Sequence, residues 1–564
     1  MYLRELNVLK EQLVRQGNQT IDEGDFPERC NSCDIERLND IGIALSSERN
    51  ANRLLELILL GAKELTRADA GTLYSVTSRK TLKFEILRTD SLGIAMGGST
   101  GVPIHFPELP LYENGEPNLH MVAVFAALKE TTINIPDAYE TKEFDFSGTR
   151  AFDQKNHYHS QSFLTVPLRN HVNEVIGVLQ LINARDARTG AISAFSATNQ
   201  KLAESLASQA AIALTNQKLI ADLKALFESL IRTIASAIDE KSPYTGGHCH
   251  RVPVLAEMLG RSASETQEGP LKDFHLSDED MYELKTAAWL HDCGKVVTPT
   301  EVVDKGTKLE TIFDRIHLIN TRFEVIKKDL EVRFLQKKIA LLEAGVTTDM
   351  TALEEAFQQE RARLDADQKF LQETNIGGEF MSTALQDRVR AIARSRWVDS
   401  NGQEHPFLSD NEVYNLNIAK GTITPEERTI INNHIVVTIK MLDGIPFPKH
   451  LKHVPEIAGG HHEQMNGKGY PKGLTGDQMS IQARIMAIAD VFEALTARDR
   501  PYKKGKTLSE SLKILGFMKN DGHIDPDLFK LFIDKRIYLE YAQDYLEPEQ
   551  IDTIDLNKIP GYVA

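Results

Sequence analysis

Positive charge, cysteine and long apolar runs are all scarce in this 564-residue chain. Its 65 Lys and Arg stand against 81 Asp and Glu, a formal net charge of -16 at pH 7. That deficit excludes a broad, non-specific surface for a nucleic-acid polymer. A small anionic ligand stays open, because a metal or a few local cations can reverse the potential in one pocket. Only four cysteines occur: Cys249 and Cys293 are isolated, and Cys30 and Cys33 form one C-x-x-C pair. No thiolate-rich set for structural zinc follows from that, and the pair reads either as reduced thiols or as a metal or redox site. No stretch approaches the roughly 18 uninterrupted apolar residues of a membrane span. Met1 to Arg15 mixes charged and apolar residues and lacks a signal-peptide core. The expected compartment is the cytoplasm, with no membrane partner.

What is present is ordinary soluble composition, 41% hydrophobic and 26% charged, over a length that calls for two to four domains. Residues 1–35 form an N-terminal segment without catalytic signals. The spacing of Leu38, Ile41, Leu45, Leu54, Leu55, Ile58 and Leu59 predicts two helices around a Ser46-Ser47 boundary. Strands are expected at Thr72–Val76, Leu82–Leu87, Thr132–Ile135, Phe163–Leu168 and Val175–Ile182, the last two joined as a hairpin. A helix from about Asn199 to Asn216 closes this α+β unit. Its phrases Asn134-Ile135-Pro136-Asp137-Ala138-Tyr139, Ser162–Leu168 and Ile176–Asn183 resemble a GAF sensory domain over residues 36–217, closest to those of cyclic-nucleotide phosphodiesterases. The resemblance implies a small-molecule or cyclic-nucleotide ligand, or else a fold used for dimerisation. The Asn-Lys of cyclic-nucleotide binders is Asn183-Ala184 here, and no Asp-Glu pair follows Phe195.

Residues 218–240 read as a linker signalling helix. Leu219, Leu223, Leu226 and Leu230 follow a 4-3-4 spacing, which suits either a parallel seam with a second copy, giving a homodimer, or packing on the chain's own second domain. That domain, 230–535, is expected to be all-α with a helical-hairpin insertion at about 316–420, followed by a tail, 536–564. In the insertion, Ile316, Ile319, Phe323, Ile326 and Leu330 mark one helix. Thr351-x-x-Glu354 reads as a capping box opening the next. The hairpin is expected to serve dimer contact or partner docking.

The chemistry concentrates at His461-His462-Glu463 and the following loop Gly467-Lys468-Gly469-Tyr470-Pro471, where two glycines and a proline make poor regular structure. Met281–Leu290 predicts a helix that delivers His291 and Asp292, with Gly294 as its stop. Pro243–Gly247 presents His248, and Thr424-Pro425-Glu426-Glu427 opens a helix carrying His434. Asp490 stands among Ile488, Ala489, Val491 and Phe492, where a carboxylate is costly without a metal or strong pairing. His248, His291, Asp292, His434, His461, His462 and Asp490 thus offer five imidazoles and two carboxylates, a donor mixture that suits ions such as Mn²⁺ and Fe²⁺.

His291-Asp292-x-Gly294-Lys295, His461-His462-Glu463, Gly469-Tyr470-Pro471, Arg484 to Leu495 and Arg500-Pro501-Tyr502 together resemble the HD-GYP family of HD-domain phosphohydrolases. The resemblance implies a helical fold and hydrolysis of cyclic di-GMP to pGpG or GMP. It implies that the seven residues are the metal ligands, with Asp292 bridging. Three-metal members tend to carry Glu four residues before the first ligand histidine; Tyr244 stands there, so two divalent ions, iron or manganese, are expected. These would acidify a water for in-line attack on phosphorus, while Lys295 neutralises charge on the phosphate. Gly469, Tyr470 and Pro471 would shape the nucleoside side of the pocket, with Arg500 and Lys503 as phosphate contacts. The rival readings are a hydrolase of cyclic GMP-AMP and a catalytically silent cyclic di-GMP receptor.

Overall fold

Two stretches, 68–89 and 163–185, build most of the only large sheet among the residues that the structure describes. Those residues of this computed structural model are 31–241, 247–345, 350–378, 380–399, 401–497 and 505–563. Cys30, Tyr244, Arg500 and Lys503 lie outside them, as does the side chain of Cys33. The chain divides into two units, Met1–Leu226 and Phe227–Ala564. No helix among the described residues is long and apolar enough to cross a membrane.

The first unit opens with α1 (Asn31–Ser47) and α2 (Ala51–Thr66), the latter capped by the Asn50 side chain on the amides of Asn52 and Arg53. Strands β1 (Ala68–Val76), β2 (Thr81–Thr89) and β3 (Ile94–Gly97) follow, then α3 (Val122–Lys129), β4 (Ile133–Ile135), α4 (Ser147–Asn156), β5 (Phe163–Arg169) and β6 (Val175–Arg185). The main path of the antiparallel sheet runs β3-β2-β1-β6-β5-β4. Because successive side chains point to opposite faces, Leu164, Val166, Leu179 and Leu181 join the core beneath α1 and α2, while Val178 packs with Tyr74 and Val124 on the other side. On that second side a cavity of about 400 Å³ is lined by Tyr74, Phe84, Arg88, Phe152 and Tyr158.

One helix, α5 (Ala197–Lys241), replaces the two expected from 199–216 and 218–240. The polar run Asn216-Gln217-Lys218 contains neither Gly nor Pro, so nothing in it stops a helix.

The second unit packs α6 (His248–Ser264), α7 (Asp278–Leu290), α12 (Pro425–Asn432), α13 (His434–Asp443), α14 (Val454–Gly459), α15 (Ile481–Thr496), α16 (Leu508–Asn520), α17 (Pro526–Asp534) and α18 (Ile537–Tyr545). Ser277 with Asp280, Thr424 with Glu427, and Thr507 with Glu510 form capping boxes that fix three of the starts. Leu255, Leu284, Ile457, Ile485, Phe492 and Phe532 are fully buried members of one core. Tyr541, Ala542 and Ile559 belong to it too, so the segment after residue 535 is core rather than tail.

The insertion is larger than a hairpin. It contains α8 (Ile316–Glu343), α9 (Met350–Ile376), α10 (Thr383–Ala393), a two-stranded ribbon of β7 (Arg396–Val398) with β8 (Glu404–Pro406), and α11 (Asp410–Leu416). Met350 is already helical, so Thr351 lies inside the first turn of α9 and does not cap it. The insertion has its own core of Ile319, Phe323, Leu371, Val389, Phe407 and Leu416. Its base is tied down by buried lysines. Lys305 Nζ reaches Glu427 at 2.8 Å and Asn415 Oδ1 at 3.0 Å, and Lys308 Nζ donates to the Leu416 carbonyl at 2.9 Å. Burial without a carboxylate partner pulls the Lys308 ammonium down to about 8.

Phe323→Ala should remove about 3–5 kcal/mol of local stability. Because the two cores are separate, hydrogen exchange should show lost protection at the α8, α9 and α11 amides and unchanged protection in α7 and α15.

Candidate metal centre

Helix ends do most of the positioning. His248 is the first residue of α6, and His291 and Asp292 leave the C-terminus of α7. His434 opens α13; the helix expected to carry it ends at Asn432, so a new helix starts at the histidine itself. His461 and His462 follow α14, and Asp490 lies within α15. All seven come together. His248, His291 and Asp490 form one group, His291, Asp292 and His461 a second, and His434, His461 and His462 a third, each with ligand atoms within 4.8 Å of one another. Asp292 lies between them. Its Oδ2 is 3.4 Å from His248 Nε2 and 3.3 Å from His291 Nε2, and its Oδ1 is 3.2 Å from His434 Nε2. Asp490 Oδ1 is 3.2 Å from His248 Nε2 and 3.7 Å from His291 Nε2.

The imidazoles are oriented from behind. Nδ1 of His291 bonds the Ala288 carbonyl at 2.8 Å, that of His434 the Ile431 carbonyl at 2.6 Å, and that of His461 the Ala458 carbonyl at 2.6 Å. In its neutral form, a ring that donates from Nδ1 carries the lone pair on Nε2, facing inward, the tautomer that binds a metal. Nε2 of His434, Nε2 of His461 and Oδ1 of Asp292 are buried without a hydrogen-bond partner; the His434–Asp292 approach lacks hydrogen-bond geometry. Orphaned buried donors and acceptors are expensive. Five imidazoles, two carboxylates and these orphan atoms fit divalent cations of the borderline kind.

Two further residues support this arrangement: Glu493, which escaped the sequence reading, and Glu463, which the His-His-Glu motif named without giving it a role. Glu493, fully buried one turn after Asp490, accepts a short bond from His248 Nδ1 and takes Arg251 Nε at 2.6 Å. Its signal was its spacing, three residues from Asp490 and therefore on the same face of α15. Glu463, also buried, accepts the amides of Lys472 at 2.7 Å and Leu474 at 2.9 Å, which folds the glycine loop back under the histidines. Within that loop a Cβ on Gly469 would come within 2.4 Å of the Glu463 Cα, so only glycine fits. Tyr470 stacks on His462 with ring centroids 4.8 Å apart.

Gly294 works differently from the helix stop expected of it. It belongs to a 3₁₀ turn, Cys293–Val297, and a Cβ there would lie 2.0 Å from the His434 carbonyl oxygen. Its amide donates to Thr438 Oγ1 at 2.9 Å. The missing side chain therefore lets α13 approach the turn that carries Asp292. Lys295 follows in that turn, with Nζ 2.6 Å from Asp292 Oδ2. Beside the cluster a cleft of about 430 Å³ is lined by Val297, Thr298, Thr429, His434, Tyr470 and Pro471.

Electrostatics divide the histidines. Burial, together with neighbouring His462 and His291, holds His461 well below its ordinary value, and burial brings His462 down to about 4. Both are neutral donors at pH 7. Burial alone would lower His291, but the Asp292 charge and hydrogen bonds to Asp292 and Asp490 lift it to about 9. Asp292 stays well below the usual carboxylate range despite burial because Lys295 and His291 face it. Asp490 does so because His248 and His291 bond it.

Glu493→Gln should weaken divalent-metal binding about 10- to 100-fold, as loss of an orienting partner does, read by competition with a chelating dye. Below about pH 9 His291 holds a proton that a metal must displace. Metal uptake should therefore release protons, and apparent affinity should fall about tenfold per pH unit for each proton displaced as pH drops. Calorimetry in buffers of different ionisation enthalpy measures this.

Comparison with known proteins agrees with the two units. A GAF domain model matches residues 50–214 and an HD domain model matches residues 410–528. The second match begins near the end of the insertion, so it includes His434, His461, His462 and Asp490 but not His248, His291 or Asp292. A probable cyclic di-GMP phosphodiesterase of Vibrio cholerae is 34% identical over 176 residues, 29% of this chain and 39% of that protein. A 3'3'-cGAMP-specific phosphodiesterase of the same organism is 23% identical over 307 residues, 54% of this chain and 38% of that protein. A cyclic di-GMP phosphodiesterase of Thermotoga maritima is 40% identical over 133 residues, 24% of this chain and 35% of that protein. The chain thus spans less than two fifths of the length of these relatives. It carries a GAF domain followed by an HD domain.

Proposed function

We propose that this protein is a metal-dependent phosphodiesterase that hydrolyses cyclic di-GMP to pGpG or GMP. The observation that carries this reading is the convergence of seven inward-facing donors beside an open cleft, with the two oxygens of Asp292 turned toward different histidines. His248, His291, Asp292, His434, His461, His462 and Asp490 would hold two divalent ions, iron or manganese, with Asp292 shared. Such ions supply Lewis acidity and lower the pKa of a water. The chain's own groups do the rest. Lys295 presents an ammonium where phosphate charge develops. Tyr470 and Pro471 line the cleft and offer a flat face to a base or ribose, and the backbone closeness allowed by Gly469 keeps that face rigid. Arg500 and Lys503 are proposed as further phosphate contacts on the family motif alone. Hydrolysis of a 3'3'-cyclic GMP-AMP is the second reading, favoured by the 307-residue match to a protein named for that specificity.

Regulation is assigned to the GAF domain. Its cavity of about 400 Å³ combines aromatic walls with Arg88 and suits a small molecule. Leu219, Leu223, Leu226 and Leu230 are each more than half exposed along α5, which supports a homodimer built on that seam.

With Mn²⁺ or Fe²⁺ loaded anaerobically, the protein should convert cyclic di-GMP to a linear product followed by chromatography; binding without product from a metallated sample would refute the assignment. Lys295→Ala should lower kcat by about 10²- to 10³-fold, the cost of losing one electrostatic contact to a developing charge, with metal content unchanged. Leu223→Glu should shift the sedimentation coefficient from dimer to monomer.

A further inference from the structure

The last turn of α5 makes two contacts that the proposed chemistry does not use. Lys241, its final residue, places Nζ 3.1 Å from the carbonyl oxygen of Lys295, 2.5 Å from that of Val296 and 2.6 Å from that of Thr298. An ammonium has three donors, and here each finds a carbonyl of one short loop. That loop bears Lys295 at one end and the cleft-lining Val297 and Thr298 at the other. Val296 and Val297 are each at least half exposed, so apolar packing does little to hold it.

Asp239, two residues earlier and buried, faces a different segment. Its carboxylate accepts the Gly247 amide at 3.1 Å and the Cys249 amide at 3.4 Å, and it lies 3.4 Å from His250 Nδ1. These groups flank His248 at the start of α6, where unpaired amides favour a negative charge. Gly247 itself has φ 85 and no capping side chain of its own. One helical turn therefore grips two segments with opposite charge: a carboxylate on helix amides, and an ammonium on loop carbonyls. The same unbroken helix begins at Ala197, where Ala203, Leu206 and Ala210 are buried in the core of the first unit.

We propose that Asp239 and Lys241 are positioning residues, Asp239 for the His248 segment and Lys241 for the Lys295–Thr298 loop, and that displacement of α5 is read out as turnover through the Lys241 clasp. This rests on the phosphodiesterase reading for its kinetic arm only. A rotation or slide of α5 moves both side chains together. The carbonyl clasp would then carry Lys295 away from phosphate, while Asp239 shifts the segment that bears His248.

The test uses the full-length, metal-loaded protein. Lys241→Met keeps the side-chain length and removes all three bonds. Amide exchange in a peptide covering residues 293–299 should quicken in this variant. The kcat should fall about 10- to 100-fold, the range for a positioning error of about 1 Å, with KM changed by less than about twofold and metal content equal to the parent. Asp239→Asn should instead lower metal affinity about tenfold and leave exchange at 293–299 alone. One alanine inserted after Leu223 turns the helix beyond it by about 100°; at matched metal loading it should change turnover in the parent and change it several-fold less on the Lys241→Met background. Unchanged exchange at 293–299, metal loss parallel to the fall in kcat, or an equal insertion effect in both backgrounds would each overturn the proposal. Bis(p-nitrophenyl) phosphate serves as a second substrate, so that failure on cyclic di-GMP alone counts against the nucleotide assignment, and the exchange arm reads the clasp without any turnover.

Discussion

Putting five imidazoles and two carboxylates into a helical core is affordable only if their charges and lone pairs find partners, and the architecture of the second unit follows from that requirement. Isolated buried carboxylates carry a desolvation cost of several kcal/mol. Here each acid faces cations or imidazole nitrogens, and three of the five rings are anchored by main-chain carbonyls at the ends of helices. The carbonyls left unpaired where a helix stops are the groups those rings use, and so the donors cluster at helix termini. Asp490 is the exception, being mid-helix. Glu493, one turn on in the same helix, orients His248, the ring that stands at a helix start and bonds a carboxylate rather than a main-chain carbonyl.

The same requirement explains the glycines. A pocket with this many converging side chains needs backbones closer together than Cβ atoms permit. Gly294 lets α13 approach the turn after α7, and Gly469 lets the loop fold against Glu463. In both places the absent side chain is part of the geometry, and the hydrogen bonds of Thr438 and Glu463 lock the approach.

How far the sequence could be read depended on whether a residue conflicted with its surroundings. A lone acid in an apolar run, paired histidines and a glycine-proline loop all violate local preference, which is what functional positions do, and the donor set was legible for that reason. Glu493 was not. A glutamate in a helix is unremarkable until its face is known to point inward. The longer strands of the first unit were legible as apolar and β-branched runs between polar turns, and they are buried in near-continuous runs rather than by alternation, whereas short elements such as β3, α3 and the β7–β8 ribbon carry too little pattern to separate from loops. Helix boundaries failed where polar residues imitate a stop. Asn216-Gln217-Lys218 looked like an end and is not, and Asn432-Asn433 looked like continuation although one helix ends and another begins there.

The insertion lies between Asp292 and His434 along the chain, so two halves of one donor set are separated by more than a hundred residues that build their own core. Joining distant chain segments costs loop-closure entropy, and that cost grows only slowly with length once the intervening chain is compact at its base. The lysine ties at residues 305 and 308 shorten the effective gap by bringing the two feet of the insertion together. Such connectivity puts an order on biosynthesis: the ribosome must release the whole excursion before the late histidines exist. The complete donor set is thereby a late product of synthesis, assembled only once His434, His461, His462 and Asp490 have joined the earlier three.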